Sequence, residues 1–234
     1  MIAVTTFSQS IYDRYGWKLL ESAAKHWPGK LIAYVEGSNP SIDAENIEYR
    51  KLFEIPGVVP FLQHLQNIPL AMGKTGNGYN YNFDAWKFSR KAFCQWQVGF
   101  ENPTEKIFWL DADIQIIKDV PESFLTNLFH GKPYAYLGRP GYYTETGFIG
   151  FDMKHCMPLM EKYRECYQRG ALFTLQRWHD CEAFDWARAQ SRIEGEDLSP
   201  FYSQNPKDID VFPKTVLAEY FIHDKGPAKD RRRA

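Results

Sequence analysis

Asp111 and Asp113 stand one residue apart at the end of the apolar run Ile107-Phe108-Trp109-Leu110. In an extended segment the side-chain period is two, so a strand that surfaces here points both carboxylates at one object. Two such charges at the rim of an apolar sheet repel each other and lose hydration, which calls for a positive partner between them. A divalent cation is the simplest candidate. Near the other end of the chain stands His223, followed at spacings of three by Gly226 and Lys229. Imidazole suits Mn²⁺ better than Mg²⁺, and carboxylates suit either, so Asp111, Asp113 and His223 form a candidate O,O,N metal set. Gly226 would let backbone approach a phosphate, and Lys229 would neutralise it.

Positioning these groups is the task of the surrounding elements. Ile2 to Phe7 is a short β-rich run, followed by a helical pattern at Ile11, Tyr15, Leu19 and Ala23 that stops at Trp27-Pro28-Gly29. Leu31 to Glu36 supplies a second strand, giving a βαβ opening with parallel pairing and a right-handed crossover. Residues 41–78 give no clear pattern, because Pro56, Gly57, Pro60 and Pro69 interrupt the apolar clusters, and 73–78 read as a mobile loop. A helix is expected over 82–97, with Trp86, Phe93 and Trp96 inward and Lys87, Arg90 and Lys91 clustered on another face. Further helices fit 121–129, 155–169 and 180–191, and strands fit 106–113, 134–138, 148–153 and 218–223.

The fold class is therefore α/β, a single Rossmann-like domain over 1–234 with a mostly parallel central sheet flanked by helices. Ligands of such sheets lie at the carboxyl ends of strands. Thr5, Thr6, Phe7, Glu36, Asp111 and Asp113 fall at such ends. Phe7 and Tyr12 could stack on a base and the threonines bond its edge, or these could be ordinary strand-end residues. Asp180 and Glu182 open a helix, where they either favour its dipole or face a substrate. Arg139 could pair with a substrate group or serve a turn, and Tyr142, Tyr143, Trp178 and Trp186 offer flat faces suited to sugar rings.

Composition sets outer limits. Hydrophobic residues make up 44% of the 234, aromatics 16% and charged residues 24%, which excludes a disordered chain. A net charge of −1 predicts no partner such as nucleic acid, although Lys225, Lys229 and three arginines make 224–234 a basic tail. The 4 cysteines form no CxxC spacing and suggest a reducing, cytoplasmic setting. No run of apolar residues is long enough for a membrane span, and the first residues read as a strand rather than a leader.

In order along the chain, Val4-Thr5-Thr6-Phe7 with Tyr12, Trp109-Leu110-Asp111-Ala112-Asp113, Thr146-Gly147-Phe148-Ile149-Gly150-Phe151, His179-Asp180-Cys181-Glu182 and His223-x-x-Gly226-x-x-Lys229 resemble nucleotide-sugar glycosyltransferases of the GT-A fold. The nearest type is that of glycogenin and the bacterial lipopolysaccharide galactosyltransferases. The resemblance implies Mn²⁺ or Mg²⁺ held by Asp111, Asp113 and His223 on the diphosphate of a UDP-sugar, with Lys229 on the phosphate. It implies a nucleotide-binding half over 1–113 and a sugar and acceptor half over 114–223. The expected donor-site residues are Thr5, Thr6, Phe7, Tyr12, Glu36, Lys87, Arg90, Asp111, Ala112, Asp113, Gly226 and Lys229, with Asp180 and Glu182 as catalytic candidates. The acceptor, a saccharide, protein or lipid-linked hydroxyl, is open. Retention of configuration follows the nearest relatives; inversion would require a carboxylate base. Where that family has Asn-Ser-Gly and Asp-Gln-Asp, this chain has Glu145-Thr146-Gly147 and His179-Asp180-Cys181, so sugar and acceptor contacts do not carry over. Two alternatives remain: a binding protein of the same fold without turnover, and a haloacid-dehalogenase-like phosphohydrolase built on Asp111.

Overall fold

The computed structural model describes residues 1–37, 40–199 and 211–225. Its strands in chain order are β1 (Ile2–Phe7), β2 (Lys30–Val35), β3 (Ile47–Lys51), β4 (Lys74–Thr75), β5 (Gly78–Tyr79), β6 (Lys106–Leu110), β7 (Ile114–Ile116), β8 (Tyr134–Leu137), β9 (Glu145–Asp152), β10 (Glu196–Asp197) and β11 (Phe221–His223). The helices are α1 (Gln9–Ile11), α2 (Trp17–His26), α3 (Val58–Gln66), α4 (Ala85–Glu101), α5 (Glu122–Asn127), α6 (Met153–Gln168) and α7 (Asp180–Ser191).

Seven strands form one sheet in the order β10-β8-β9-β6-β1-β2-β3. β6, β1, β2 and β3 run parallel, β9 is antiparallel to both its neighbours, and β10 pairs parallel with β8. The pleat sends alternate residues to opposite cores. Val4, Ile107 and Trp109 join a cluster with buried residues of α3, α4, α6 and α7, while Ala3, Phe108 and Leu110 join another with those of α2 and α5. Covering both faces explains why β6 reads as a continuous apolar run.

Two expectations are corrected here. Residues 41–78, which gave no pattern, contain strand β3 and helix α3. Pro60 falls in the first turn of α3, where its missing N–H has no intrahelical partner to lose. The segment read as a loop over 73–78 closes as a hairpin, with Thr75 Oγ1 donating to the Gly78 carbonyl at 2.7 Å and Gly78 at φ 102°. Elsewhere β1 spans the expected residues, and α4, α6 and α7 lie within a few residues of the expected helices.

Candidate functional site

β6 ends at Leu110, so the two aspartates do not share an extended strand. The Asp111 N–H instead donates to the Gly147 carbonyl of β9 at 2.9 Å, and the Ile114 N–H donates back to the Asp111 carbonyl at 3.0 Å. This turn, not the period of a strand, gathers the pair. β7 then pairs antiparallel with β11, which sets His223 opposite Ile114, and the Asp224 N–H donates to the Asp113 carbonyl at 3.0 Å. The last strand thereby delivers His223 to the aspartates. One ligand atom from each of Asp111, Asp113 and His223 lies within 4.8 Å of the others, and His223 Nε2 stands 3.1 Å from Asp113 Oδ1.

The cluster has the chemistry of a cation site. His223 Nδ1 is buried without a hydrogen-bond partner, and two carboxylates converge beside it. Burial raises the Asp111 carboxyl above its ordinary value; Lys91 opposes this, and the neighbouring Asp113 and Asp180 add to it. Burial would strip His223 of a proton, yet the hydrogen bond and charge of Asp113 and the charge of Glu145 raise its affinity for one. Both groups thus bind a proton more tightly than usual where a metal ion would place its charge. Gly147 makes room for the imidazole, since a Cβ there would meet His223 Cε1 at 2.7 Å.

Lys91 is the residue that the sequence undervalued. Among the three basic residues of α4 it is the one buried, with Nζ 2.8 Å from Asp111 Oδ1, paired with Asp180, and donating to the Thr146 carbonyl at 2.9 Å. Burial alone would lower its pKa, but Asp111 and Asp180 together raise it. Trp109 Nε1 also donates to Asp111 Oδ1 at 2.6 Å. Asp180 receives a hydrogen bond from Thr146 Oγ1 at 2.7 Å, and its carboxyl is held at about 2: burial pushes it up and Lys91, foremost among its neighbours, pulls it down further.

Two clefts meet at this cluster. The first runs across the carboxyl ends of β1, β2 and β6, with Thr6, Phe7, Glu36, Lys87 and Arg90 in its lining as well as Asp111, Ala112 and Asp113. Arg90 and Glu36 form an ion pair. Tyr12 stacks on Phe7 with ring centroids 5.9 Å apart, at the π-helical turn Tyr12–Gly16. The second cleft shares Asp111, Asp113 and Asp180 and adds Glu145, Arg139 and His223.

Other candidates sit elsewhere. Thr5 is buried with its hydroxyl unpaired and lines neither cleft. Glu182 accepts from Arg177 Nη1 at 2.7 Å and from its backbone N–H at 3.1 Å, away from both linings. Gly226 and Lys229 lie outside the described residues. Trp178 packs edge-on against Phe83 and Phe173, and Trp186 packs against the core. Among the described residues no helix is long and apolar enough to cross a membrane.

No protein-family model matches the sequence, and a search of curated proteins gives no match. Among solved structures, the chain is similar over 100% of its length and 100% of the other chain to apo mouse xyloside xylosyltransferase 1, with a TM-score of 0.53 and 13% identity. That likeness reaches the architecture and not the glycogenin type within it. A seven-stranded, mostly parallel sheet flanked by helices is here the GT-A fold of glycosyltransferases.

Proposed function

We propose that the chain is a metal-dependent glycosyltransferase that moves a sugar from a UDP-sugar to a hydroxyl acceptor with retention of configuration. The observation that carries this reading is the convergence of Asp111, Asp113 and His223 at the junction of two clefts. Mn²⁺, or Mg²⁺, bound by these three would neutralise the diphosphate leaving group as the anomeric bond breaks. The ordered motifs further support the glycogenin and lipopolysaccharide galactosyltransferase type.

On this reading residues 1–113 bind the nucleotide. Phe7 and Tyr12 offer the base an aromatic face, and Glu36, fixed by Arg90, offers its carboxylate to the nucleoside hydroxyls. Lys87 lines the same cleft as a cation for the phosphates. Residues 114–223 supply the sugar and acceptor side through the second cleft. Lys91 opposes the burial that raises the Asp111 carboxyl, keeps Asp180 ionised, and fixes both without reorganisation during the reaction, the condition under which electrostatic stabilisation is effective.

Retention is supported by the state of the two carboxylates named as catalytic candidates. Asp180, with a carboxyl held at about 2, is a weak base at neutral pH, and Glu182 is committed to Arg177. A general base taking the acceptor proton, as inversion needs, is therefore poorly served by either. Asp180 instead suits binding of donor-sugar hydroxyls, since it borders both clefts. The phosphohydrolase alternative has no support in the structural likeness, which is to a glycosyltransferase.

The test is UDP release from a panel of UDP-sugars, followed by NMR with and without Mn²⁺. Metal-dependent release, lost in Asp113→Asn and accompanied by an anomeric product of unchanged configuration, is expected. UDP and Mn²⁺ binding without release from any donor would favour the binding-protein alternative. Release indifferent to metal and to Asp113→Asn would refute the reading.

A further inference from the structure

The second cleft has a composition that narrows its occupant. Among the described residues its lining contains no aliphatic side chain; it combines aromatic rings with carboxylates at the Asp111, Asp113 and Asp180 junction and at Glu145. A lipid chain would find no matching surface there. The cations of the lining are committed, since Lys225 pairs with Glu145 and Arg139 Nη1 lies 3.5 Å from the same carboxylate. Burial keeps the His179 imidazole below its ordinary pKa, despite the opposing charge of Asp180. Among the described residues a phosphorylated or sulfated occupant would thus meet carboxylates and cations already paired with them.

Two exposed tyrosines border the cleft, Tyr81 at 52% and Tyr142 at 48% exposure. Tyr142 is held by the sequence Arg139-Pro140-Gly141-Tyr142. Its N–H donates to the Arg139 carbonyl at 2.8 Å and Gly141 adopts φ 77°, the conformation that a proline–glycine turn with positive φ at its third position requires. Behind Tyr142 stands Tyr143, with ring centroids 4.4 Å apart, and Tyr143 in turn packs against the Arg139 guanidinium at 4.6 Å and the His179 ring at 4.5 Å. Arg139 Nε also donates to the Tyr143 carbonyl at 2.8 Å. Tyr143 and the Arg139 guanidinium, 5.3 Å from the Tyr142 ring, brace Tyr142, and the half of it left exposed is a shelf beside the cleft. Tyr81 follows Asn80, whose side chain accepts from the Asn82 N–H at 3.0 Å, and the Trp178 N–H ties the segment down through the Asn82 carbonyl at 2.6 Å.

From this arrangement we infer that the second cleft is an acceptor subsite for a neutral saccharide, whose ring lies on Tyr142 and whose hydroxyls bond the cleft's carboxylates. A rigid aromatic face gives a pyranose its C–H surface, and acceptor-only carboxylates match its O–H donors. The inference rests on the glycosyltransferase reading for the word acceptor, but the binding itself does not need turnover.

The experiment is saturation-transfer NMR on the full chain with UDP and Mn²⁺ present. The probes are neutral methyl hexosides, methyl pentosides and disaccharides, a sulfated disaccharide, farnesyl phosphate and a serine/threonine peptide. UDP binding is measured by calorimetry on the same samples. Ring protons of a neutral saccharide should receive saturation in the wild type; Tyr142→Ala should weaken that binding about tenfold, Tyr142→Phe should keep it, and UDP affinity should stay within about twofold in both variants. Equal saccharide binding in Tyr142→Ala, or binding confined to the sulfated, phosphorylated or peptide probes, overturns the inference; so does saccharide silence. Saccharide binding that depends on Tyr142 while UDP fails to bind leaves this subsite standing and removes the nucleotide-sugar reading instead.

Discussion

Lys91→Met is the perturbation whose size follows most directly from the structure. Methionine is unbranched and close to lysine in volume but lacks the terminal ammonium, leaving Asp111 and Asp180 facing each other without their shared charge. Breaking a buried ion pair by deleting one partner typically costs about 3–5 kcal/mol, because the remaining charge stays buried and uncompensated. Asp111 keeps 30% of its side chain exposed, so water and counter-ions take up part of its charge and the low end, about 3 kcal/mol, applies. For a chain of this size that corresponds to a fall in Tm of roughly 6–12 °C. Thermal unfolding followed by circular dichroism at neutral pH measures it. Two companion observations identify the cause. Asp180→Asn combined with Lys91→Met should lose less than the sum of the single losses, since the two share one interaction. Added Mn²⁺ should also raise the Tm of Lys91→Met more than that of the wild type. A fall of less than about 2 °C, with additive behaviour in the double variant, would refute the assignment of Lys91 as an internal counter-charge.

Further outcomes follow from the same geometry. Gly147→Ala should weaken Mn²⁺ binding while the chain remains folded, because the added methyl would meet His223 Cε1 at 2.7 Å; an unchanged Kd by electron paramagnetic resonance titration would contradict the packing. Mn²⁺ affinity should rise as pH increases through the histidine range, since His223 holds its proton more tightly than an ordinary histidine and must release it to ligate; a flat profile between roughly pH 5.5 and 8.5 would count against the site. The Asp180 carboxyl, lowered from 3.8 to about 2, contributes stability that is complete above its unfolded value and lost as pH falls through that window. Acid titration of unfolding should therefore lose on the order of 2 kcal/mol there in the wild type and less in Asp180→Asn.

The residues that carry the sheet were legible because both faces of it are covered. Ile2 to Val4 and Ile107 to Leu110 are apolar and buried throughout, and no exposed residue interrupts either run. β3 was hidden for the opposite reason. Ile47-Glu48-Tyr49-Arg50-Lys51 is the edge of the sheet, half-exposed along its length, and carries three charges. Asp111, Asp113 and His223 were legible as residue types with fitting donor chemistry, but their juxtaposition depends on the three-residue pairing of β7 with β11, too short for any periodicity to reveal. Lys91 was visible as one of three basic residues on α4, and its phase was the missing signal. It falls on the same helical stripe as Gln95 and Val98, both buried, whereas Lys87 is exposed. Glu182 illustrates the converse: a carboxylate beside Asp180 in sequence faces another direction on the first turn of α7 and is taken up by Arg177.

Crystals grown with UDP and Mn²⁺, measured at the manganese absorption edge, test the central claim most directly. An anomalous peak in coordination contact with Asp111, Asp113 and His223, with the UDP diphosphate on its open side, is the expected result. A bound UDP whose diphosphate lies away from all three, or a manganese peak elsewhere in the molecule, would contradict it.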